Sequence, residues 1–393
     1  DQKVMLNKGD EFTITTDDIL GTVKRVSTTF KGLPGDCRPG DRLLIDDGNV
    51  AVRVTAVTDT DVITKVEVPG YVSNHKGLNL PGVAVSVPAL SEKDRDDLRW
   101  AITIGADLIA LSFVRTADDI KDVHDIMDEA GVRIPVIAKI EKPQAVENLF
   151  DIVSAFDGIM VARGDLGVEM PLEAVPLVQK RAIELARRQA KPVIVATQVL
   201  ESMIQNPRPT RAEASDCANA ILDGADAVML SGETSVGAYP IEAVRTMANI
   251  IENVEQHGGE RIAPLGSYPQ TRGGALTRAA AEMGEQLDIT YLVTFTQSGD
   301  TARRLSRLRS PLPLLAFTPL HSTRNQLAVS WGVQTYEVPE VKHTDDMVVQ
   351  VDELLQSKHL ARPGDGVIIV AGMPPGTPGS TNSIRLHTVG ETD

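Results

Sequence analysis

Two apolar runs constrain this chain more than any other stretch. Ile134–Glu141 reads Ile-Pro-Val-Ile-Ala-Lys-Ile-Glu, and Asp157–Gly167 reads Asp-Gly-Ile-Met-Val-Ala-Arg-Gly-Asp-Leu-Gly. Short apolar runs bounded by turn signals are the pattern of strands buried on both faces. Side chains alternate along a strand, so Lys139 and Glu141 must share a face. A cation beside an anion, with the carboxylate of Asp165 at the end of the next strand, suits a hard metal ion and a phosphate-like anion. A lone Lys-x-Glu is ordinarily a structural ion pair. Here polar strand ends recur on successive strands, which favours a site.

The surrounding chain alternates strand and helix. Ser91 is placed to cap a helix over Glu92–Ile104, with acidic residues in its first turn. Strands are predicted at Asp107–Val114, Val136–Glu141, Gly158–Val161, Pro192–Thr197 and Ala225–Leu230. Helices are expected to begin near Ala117, Ala145, Leu172 and Arg211, and a last one runs from Ile241 to about Glu255. Several strands are announced by Gly-Ala-Asp, Asp-Gly or Lys-Pro. Such a repeat means a parallel sheet, doubly wound or closed.

The polar residues favour closure. Ser112, Phe113 and Arg115 end the first strand, and Lys139 and Glu141 the second. Arg163, Gly164 and Asp165 end the third, Thr197 and Gln198 the fourth, Ser231 and Glu233 the fifth. Functional groups at many consecutive strand ends mark a (β/α)8 TIM barrel, whereas an open sheet gathers them at one switch point. Five βα units are read where a closed barrel needs eight. The expectation is therefore a fragment of a longer chain, or a missing part supplied separately.

Two further blocks flank this one. Residues 1–82 read as all-β, with Asp47-Gly48 separating Leu43-Leu44-Ile45 from Val50–Val54 as a hairpin signal. A Gly/Pro-rich connector, Gly258–Gly274, leads to a helix at Ala275–Leu287. Strands follow at Tyr291–Thr296, Pro313–Phe317, Thr335–Val338 and Val367–Val370. Between the first two lies Thr296-Gln-Ser-Gly-Asp-Thr-Ala302, opening a helix at Ala302–Leu308. Free backbone N–H groups at a helix start, with three hydroxyls, form a ready anion site, although Ser and Thr there are usually only caps. The domain reading is 1–88 as a small β domain, 89–256 as the C-terminal part of a barrel, and 257–393 as an α/β domain.

Charge narrows the partners. The net charge of −15 and a pI near 5.0 argue against nucleic acid or an anionic membrane as the main partner. Any phosphate site must be a local basic spot. Cys37 and Cys217 fit small buried apolar residues in a reducing compartment. With no run of 18 apolar residues and no signal-peptide pattern, a cytoplasmic location is expected. The Gly-rich phosphate signatures GxxxxGK[ST] and GxGxxG after a strand do not occur.

Six stretches resemble the pyruvate kinase family: Lys76-Gly-Leu-Asn-Leu-Pro-Gly82, Ala138-Lys-Ile-Glu141, Met160-Val-Ala-Arg-Gly-Asp-Leu-Gly167, Val195-Ala-Thr-Gln198, Arg208-Pro-Thr-Arg-Ala-Glu213 and Leu230-Ser-Gly-Glu-Thr234. The match runs through the whole chain in order. It implies a (β/α)8 barrel with an inserted β-barrel lid and a C-terminal α/β domain. It also implies a glycolytic phosphotransferase that converts phosphoenolpyruvate and ADP to pyruvate and ATP. Carried over residue by residue, Glu141 and Asp165 hold Mg2+ or Mn2+, and Lys139 neutralises the transferring phosphoryl group. Ala162, Arg163 and Gly164 shape the carboxylate site, and Phe113 lines the pocket. Thr197 lies near the methylene carbon, and Ser231 with Glu233 belongs to a proton path. Thr296, Ser298, Gly299, Asp300 and Thr301 bind a phosphorylated allosteric effector, with Gly376–Ser383 as a neighbouring flexible loop. A homotetramer is the family's usual state.

The family's first three barrel strands, with an Arg-x-Asn-x-Ser stretch and an Asp-containing third strand, do not occur in this sequence. Those strands contribute to phosphate, ADP and K+ binding, so the K+ site receives no residues here. From chemistry alone, a metal-held enolate beside a lysine would equally serve a pyruvate aldolase or lyase. A catalytically incomplete barrel acting as a binding or regulatory module is the remaining alternative.

Overall fold

The computed structural model describes residues 3–46, 48–82, 90–266, 270–376 and 379–391. Its first part is all-β apart from one helical turn. The strands are β1 (Val4–Leu6), β2 (Glu11–Thr15), β3 (Arg25–Ser27), β4 (Arg42–Ile45), β5 (Val50–Val57), β6 (Asp61–Val68), β7 (Gly70–Val72) and β8 (Leu78–Asn79), with α1 at Leu33–Asp36. The sheet order β3-β2-β6-β5-β4-β8 is antiparallel except at β2/β3, and β1 pairs with β7. The expected hairpin forms, with Leu44 opposite Ala51. Asp47 lies outside the described residues, and Gly48 takes the positive φ, +88°, that such a turn demands. Alternate residues such as Phe12, Ile14, Val52, Val54 and Val66 fill one core.

The central part follows the strand–helix alternation: α2 (Glu92–Thr103), β9 (Ile109–Leu111), α3 (Ile120–Glu129), β10 (Val136–Ile140), α4 (Pro143–Glu147), α5 (Leu149–Ala155), β11 (Gly158–Ala162), α6 (Arg163–Glu169), α7 (Val175–Arg188), β12 (Val193–Ala196), α8 (Arg211–Asp223), β13 (Ala227–Val228), α9 (Gly232–Ser235) and α10 (Pro240–Gly258). Ser91 caps α2 through a capping box with Asp94. The strands are shorter than the apolar runs suggest because their ends turn sharply. Phe113 at φ +57° and Thr197 at φ +67° leave the extended region, and Pro192 has no N–H to pair.

All five strands are parallel and lie in chain order, β9-β10-β11-β12-β13. Val136, Ala138, Ile140, Ile159 and Val161 pack against α3, α5 and α7 in one large cluster. Ile137, Met160 and Ala196 point the other way into a small separate cluster. Helices on one face only, with strands in sequential order, are what a barrel requires; a doubly wound sheet would carry helices on both faces and reverse its order once. On α7, Val178, Ala182, Ile183 and Ala186 repeat at helical spacing and are buried. Each larger one contributes about 1.5–3 kcal/mol, so Ile183→Asp would detach the helix.

The last part contains α11 (Arg272–Gln286), β14 (Tyr291–Phe295), α12 (Asp300–Ser306), β15 (Leu314–Thr318), α13 (His321–Gln326), β16 (Val333–Glu337), α14 (Thr344–Ser357), β17 (Gly366–Gly372) and β18 (Thr381–Thr388). Its sheet order is β16-β15-β14-β17-β18, parallel except for β18. Here both faces are covered. Val293, Phe317 and Ile369 face α14, while Leu292, Leu314 and Ile368 face α11 and α12.

Three differences from the sequence reading stand out. Gly376–Ser383 is not a continuous flexible loop: Thr381–Ser383 begin β18, which pairs along β17, and 377 and 378 lie outside the described residues. Thr-Asn-Ser-Ile-Arg-Leu-His-Thr looks polar because it is an edge strand with one face toward solvent. The helix after Thr296 starts two residues earlier than Ala302, at Asp300, because Gly299 caps it at φ +79°. Helices α13 and α14 had no counterpart in the sequence reading. Cys37 and Cys217 are free and buried, as expected. Among the described residues no helix is long and apolar enough to cross a membrane.

Candidate active site

Alternation along β10 puts Ile137, Lys139 and Glu141 on the sheet face away from the helices. The parallel register sets Lys139 beside Met160, and Ala162 beside Ala196 on the same face. Lys139 Nζ forms an ion pair with Glu141 Oε1 and donates to Ser112 Oγ at 3.0 Å. Glu141 is 2% exposed, and its other oxygen accepts the Phe113 N–H at 2.9 Å. A buried carboxylate is thus held by one ammonium and one backbone donor, which offsets its desolvation. The left-handed backbone at Phe113 is what turns that N–H inward. Its ring is 48% exposed, with Lys142 Nζ 5.6 Å from the ring centroid.

The end of β11 runs directly into α6, with Gly164 and Asp165 in its first turn. Asp165 is half-buried there. The Gly164 N–H donates to Thr197 Oγ1 at 2.7 Å, and that hydroxyl donates to the Ala196 carbonyl at 2.7 Å. A Cβ on Gly164 would stand 3.2 Å from Thr197 Oγ1, so a side chain there would press the Thr197 hydroxyl back by a few tenths of an ångström. Arg163 turns sideways: Nη1 reaches both Asp216 oxygens on α8 at 2.8 and 2.6 Å, and Nη2 donates to the Thr197 carbonyl at 2.9 Å. Thr197 and Gln198 both have positive φ, +67° and +53°. Backbone strain of this kind, about 1–3 kcal/mol per residue, gathers where a fold over-determines a functional loop.

Glu233 closes the rim. It is 2% exposed and accepts the Leu200 N–H at 3.1 Å and the Ser231 N–H at 2.7 Å, tying the turns after β12 and β13 together. Ser231 itself is exposed. Glu213 does similar work one layer out, accepting from the backbone and hydroxyl groups of Ser202 and Thr210. Burial raises the pKa of Glu213, but these four donors outweigh it and hold the carboxyl below its ordinary range.

The structure thus brings Ser112, Phe113, Lys139 and Glu141 into one constellation, and Ala162–Asp165 with Thr197 into the neighbouring one. Asp216, Glu169 and Glu213 went unrecognised from sequence. Glu169 pairs with Lys142 at 2.6 Å, and Asn79 of β8 donates to it at 3.4 Å, linking the β part to the rim. Asp216 and Glu169 are acidic residues on helical segments, indistinguishable in sequence from solvated faces, whereas Thr210-x-x-Glu213 carries the signature of a capping box. Among the described residues, no group of three or more His, Cys, Asp and Glu side chains converges.

The expected effector residues lie elsewhere, at the carboxyl ends of β14–β17. Their cleft is lined by Thr296, Ser298, Asp300, Thr301, Gly376 and Thr381, among others. The order β16-β15-β14-β17 reverses at β14, so this is the crevice where open α/β sheets bind ligands. Thr296 Oγ1 accepts the Gly299 N–H at 2.9 Å, and the Thr301 and Thr381 hydroxyls are 2.7 Å apart. Arg304 holds Asp300 at 2.6 Å, and Arg303 donates to the Ser298 carbonyl at 3.0 Å.

Comparison with known proteins decides the family. The family model described as pyruvate kinase, barrel domain, matches residues 1–244, and that described as pyruvate kinase, alpha/beta domain, matches 274–387. The chain belongs to the pyruvate kinase family. It is 58% identical over 386 residues to a pyruvate kinase of Mycobacterium tuberculosis, an alignment covering 98% of this chain and 82% of that protein. Against pyruvate kinase of Corynebacterium glutamicum the identity is 56% over 391 residues, covering 100% and 82%. Against that of Geobacillus stearothermophilus it is 43% over 395 residues, covering 99% and 67%. Pyruvate kinase membership makes this an enzyme, a phosphotransferase, and agrees with a barrel followed by an α/β domain.

Proposed function

We propose that this chain transfers the phosphoryl group of phosphoenolpyruvate to ADP, giving pyruvate and ATP, at the rim formed by β9–β13. The observation that carries this reading is the Lys139–Glu141 couple on the helix-free face, one strand from Asp165. Phosphoryl transfer needs positioning and charge stabilisation more than covalent chemistry. Lys139 supplies a cation for the equatorial phosphoryl oxygens. Ala162, Arg163 and Gly164 shape the carboxylate site, Arg163 through its grip on Asp216 and the Thr197 carbonyl. Phe113 serves through its N–H on Glu141 and through the ring at the pocket mouth. Thr197 borders the methylene carbon, and Ser231, held by Glu233, stands on the path that protonates it.

Two carboxylates fit a divalent ion that retains waters and takes substrate oxygens. Glu141 and Asp165 would hold Mg2+ or Mn2+, which when bound neutralises phosphate and enolate charge. K+ is proposed as a further family cation, with no residue of this chain assigned to it. Residues 1–88 are proposed as the lid, 89–256 as the catalytic barrel segment and 257–393 as the regulatory domain. A phosphorylated effector is proposed at Thr296, Ser298, Gly299, Asp300 and Thr301. The assembly is proposed to be a homotetramer, checked by sedimentation.

Lys139→Met tests the central claim. Loss of one preorganised charge partner should lower kcat by about 10²–10³-fold, while Mn2+ binding, followed by electron paramagnetic resonance, is largely retained. A variant with unchanged turnover would favour a binding or regulatory module instead. For the lid, absence of compaction in solution scattering with Mg2+-ATP would count against the role given to 1–88.

A further inference from the structure

The carboxyl ends of α7 and α12 meet where the barrel segment abuts the α/β part. Arg187 Nη2 donates to the Arg307 carbonyl at 3.1 Å, and Arg307 Nη1 donates to the Arg188 carbonyl at 2.7 Å. Each arginine therefore caps the other's helix. Beside this crossing is a cavity of about 10 Å³ whose lining includes Arg187, Lys191, Asp226, Arg303, Arg307 and Ser330. It has room for one atom-sized occupant, a water or a halide, and not for a phosphate or sulfate.

The charge around this cavity does not balance. Asp226 is the lining carboxylate, and it is already engaged: Oδ1 accepts from Arg309 and the Trp331 N–H, both at 3.1 Å, and Oδ2 accepts the Val193 N–H at 3.0 Å. Lys191 Nζ spends its three donors on the carbonyls of Val153, Ser154 and Phe156 at 2.7, 2.7 and 2.6 Å. Among the described residues, none of Arg187, Lys191, Arg303 and Arg307 has a carboxylate within ion-pair distance. Two helix ends contribute only about half a negative charge each. Burial, followed by the nearby Arg309, lowers the pKa of Arg187 to about 10, which leaves it cationic at neutral pH.

The hydrogen bonds do not balance either. Arg187 Nε, Arg307 Nε and Ser330 Oγ are buried without a partner, and all three residues are more than nine-tenths buried. All three groups can donate. A water could accept two of them, but it would leave the third donor unmet and bring no charge. A halide accepts from all three and supplies the missing charge.

We propose that one chloride-sized anion occupies this cavity, held by Arg187, Arg307 and Ser330, and locks the α/β part onto the barrel segment. Arg303 extends the same cluster to the Ser298 carbonyl, so the anion also braces the loop after β14.

The test uses the whole protein dialysed free of halide, with thermal unfolding followed as chloride replaces gluconate at constant ionic strength and constant cations. A saturable Tm rise of about 2–4 °C is expected, together with an anomalous peak in the cavity of bromide-soaked crystals. Ser330→Ala, which removes one donor without an unpaired charge, should raise the half-saturating chloride several-fold. Arg307→Met should abolish the dependence, and the serine variant carries the test if the arginine variant does not fold. Equal Tm in chloride and gluconate with no bromide peak means a water only and overturns the proposal. So does a rise reproduced equally by sulfate, or a half-saturation unaffected by Ser330→Ala.

Discussion

Glu233→Gln separates positioning from proton transfer. The carboxylate is fully buried and both oxygens accept backbone N–H groups, from Leu200 and Ser231. Glutamine has the same shape but one acceptor oxygen, so one N–H must face its amide NH2 and go unpaired. A buried orphan donor costs about 1–3 kcal/mol. Taking about 2 kcal/mol, and about 2 °C per kcal/mol for a chain of this size, the melting transition of the barrel segment should fall by about 4 °C. The two N–H groups belong to the turns carrying Thr197 and Ser231, so freeing either one misplaces its turn and should lower kcat by about tenfold or more. Circular dichroism melting and a kcat–pH profile check both limbs. The expected result is a lower Tm and lower kcat with an unshifted pH profile. An unchanged Tm with a lost ionisation in the profile would refute the bracket argument and make Glu233 itself a proton carrier.

Asp216→Ala should leave the Arg163 guanidinium with carbonyl partners alone. Asp216 is 40% exposed, so the loss is discounted to about 1–2 kcal/mol, and kcat/KM for phosphoenolpyruvate should fall more than stability does. Glu213 carries a pH dependence. Its folded pKa lies below the ordinary 4.5, so its contribution is complete above that value and disappears as pH falls through the lower folded value. Glu213→Gln should therefore cost about 1–2 kcal/mol at pH 7 and progressively less as pH falls below 4.5, read from urea midpoints. In the cleft of the α/β part, Ser298→Ala with Thr301→Ala should abolish activation by a sugar phosphate or nucleoside monophosphate. Thr301→Ala alone should also cost about 1 kcal/mol through Thr381, whereas exposed Ser298 should be neutral for stability. Unchanged activation in the double variant would remove the effector assignment.

Much of the molecule is legible along the chain because its information is local. The apolar runs at Val136–Ile140 and Gly158–Ala162, the Ser91 cap and the Asp-Gly turn each depend on residues within a few positions. Alternation alone puts Lys139 and Glu141 on one face, and the recurrence of polar strand ends is enough to favour a barrel over a switch-point sheet. What the chain could not show was partnership across it. Arg163 reads as a substrate-facing cation; its hold through Nη1 on both oxygens of Asp216, 53 residues away, became visible only once α8 packed against α7 and β13. Glu233 reads as a candidate acid until both oxygens are found on backbone N–H groups, one of them on Leu200, 33 residues away. Thr381–Ser383 reads as the end of a loop until β17 offers it an edge. The balance of charge between Arg187 and Arg307, 120 residues apart, exists only where two helix ends meet. Strand, turn and cap are decided by neighbours in sequence, whereas burial, pairing and unpaired charge are decided by neighbours in space.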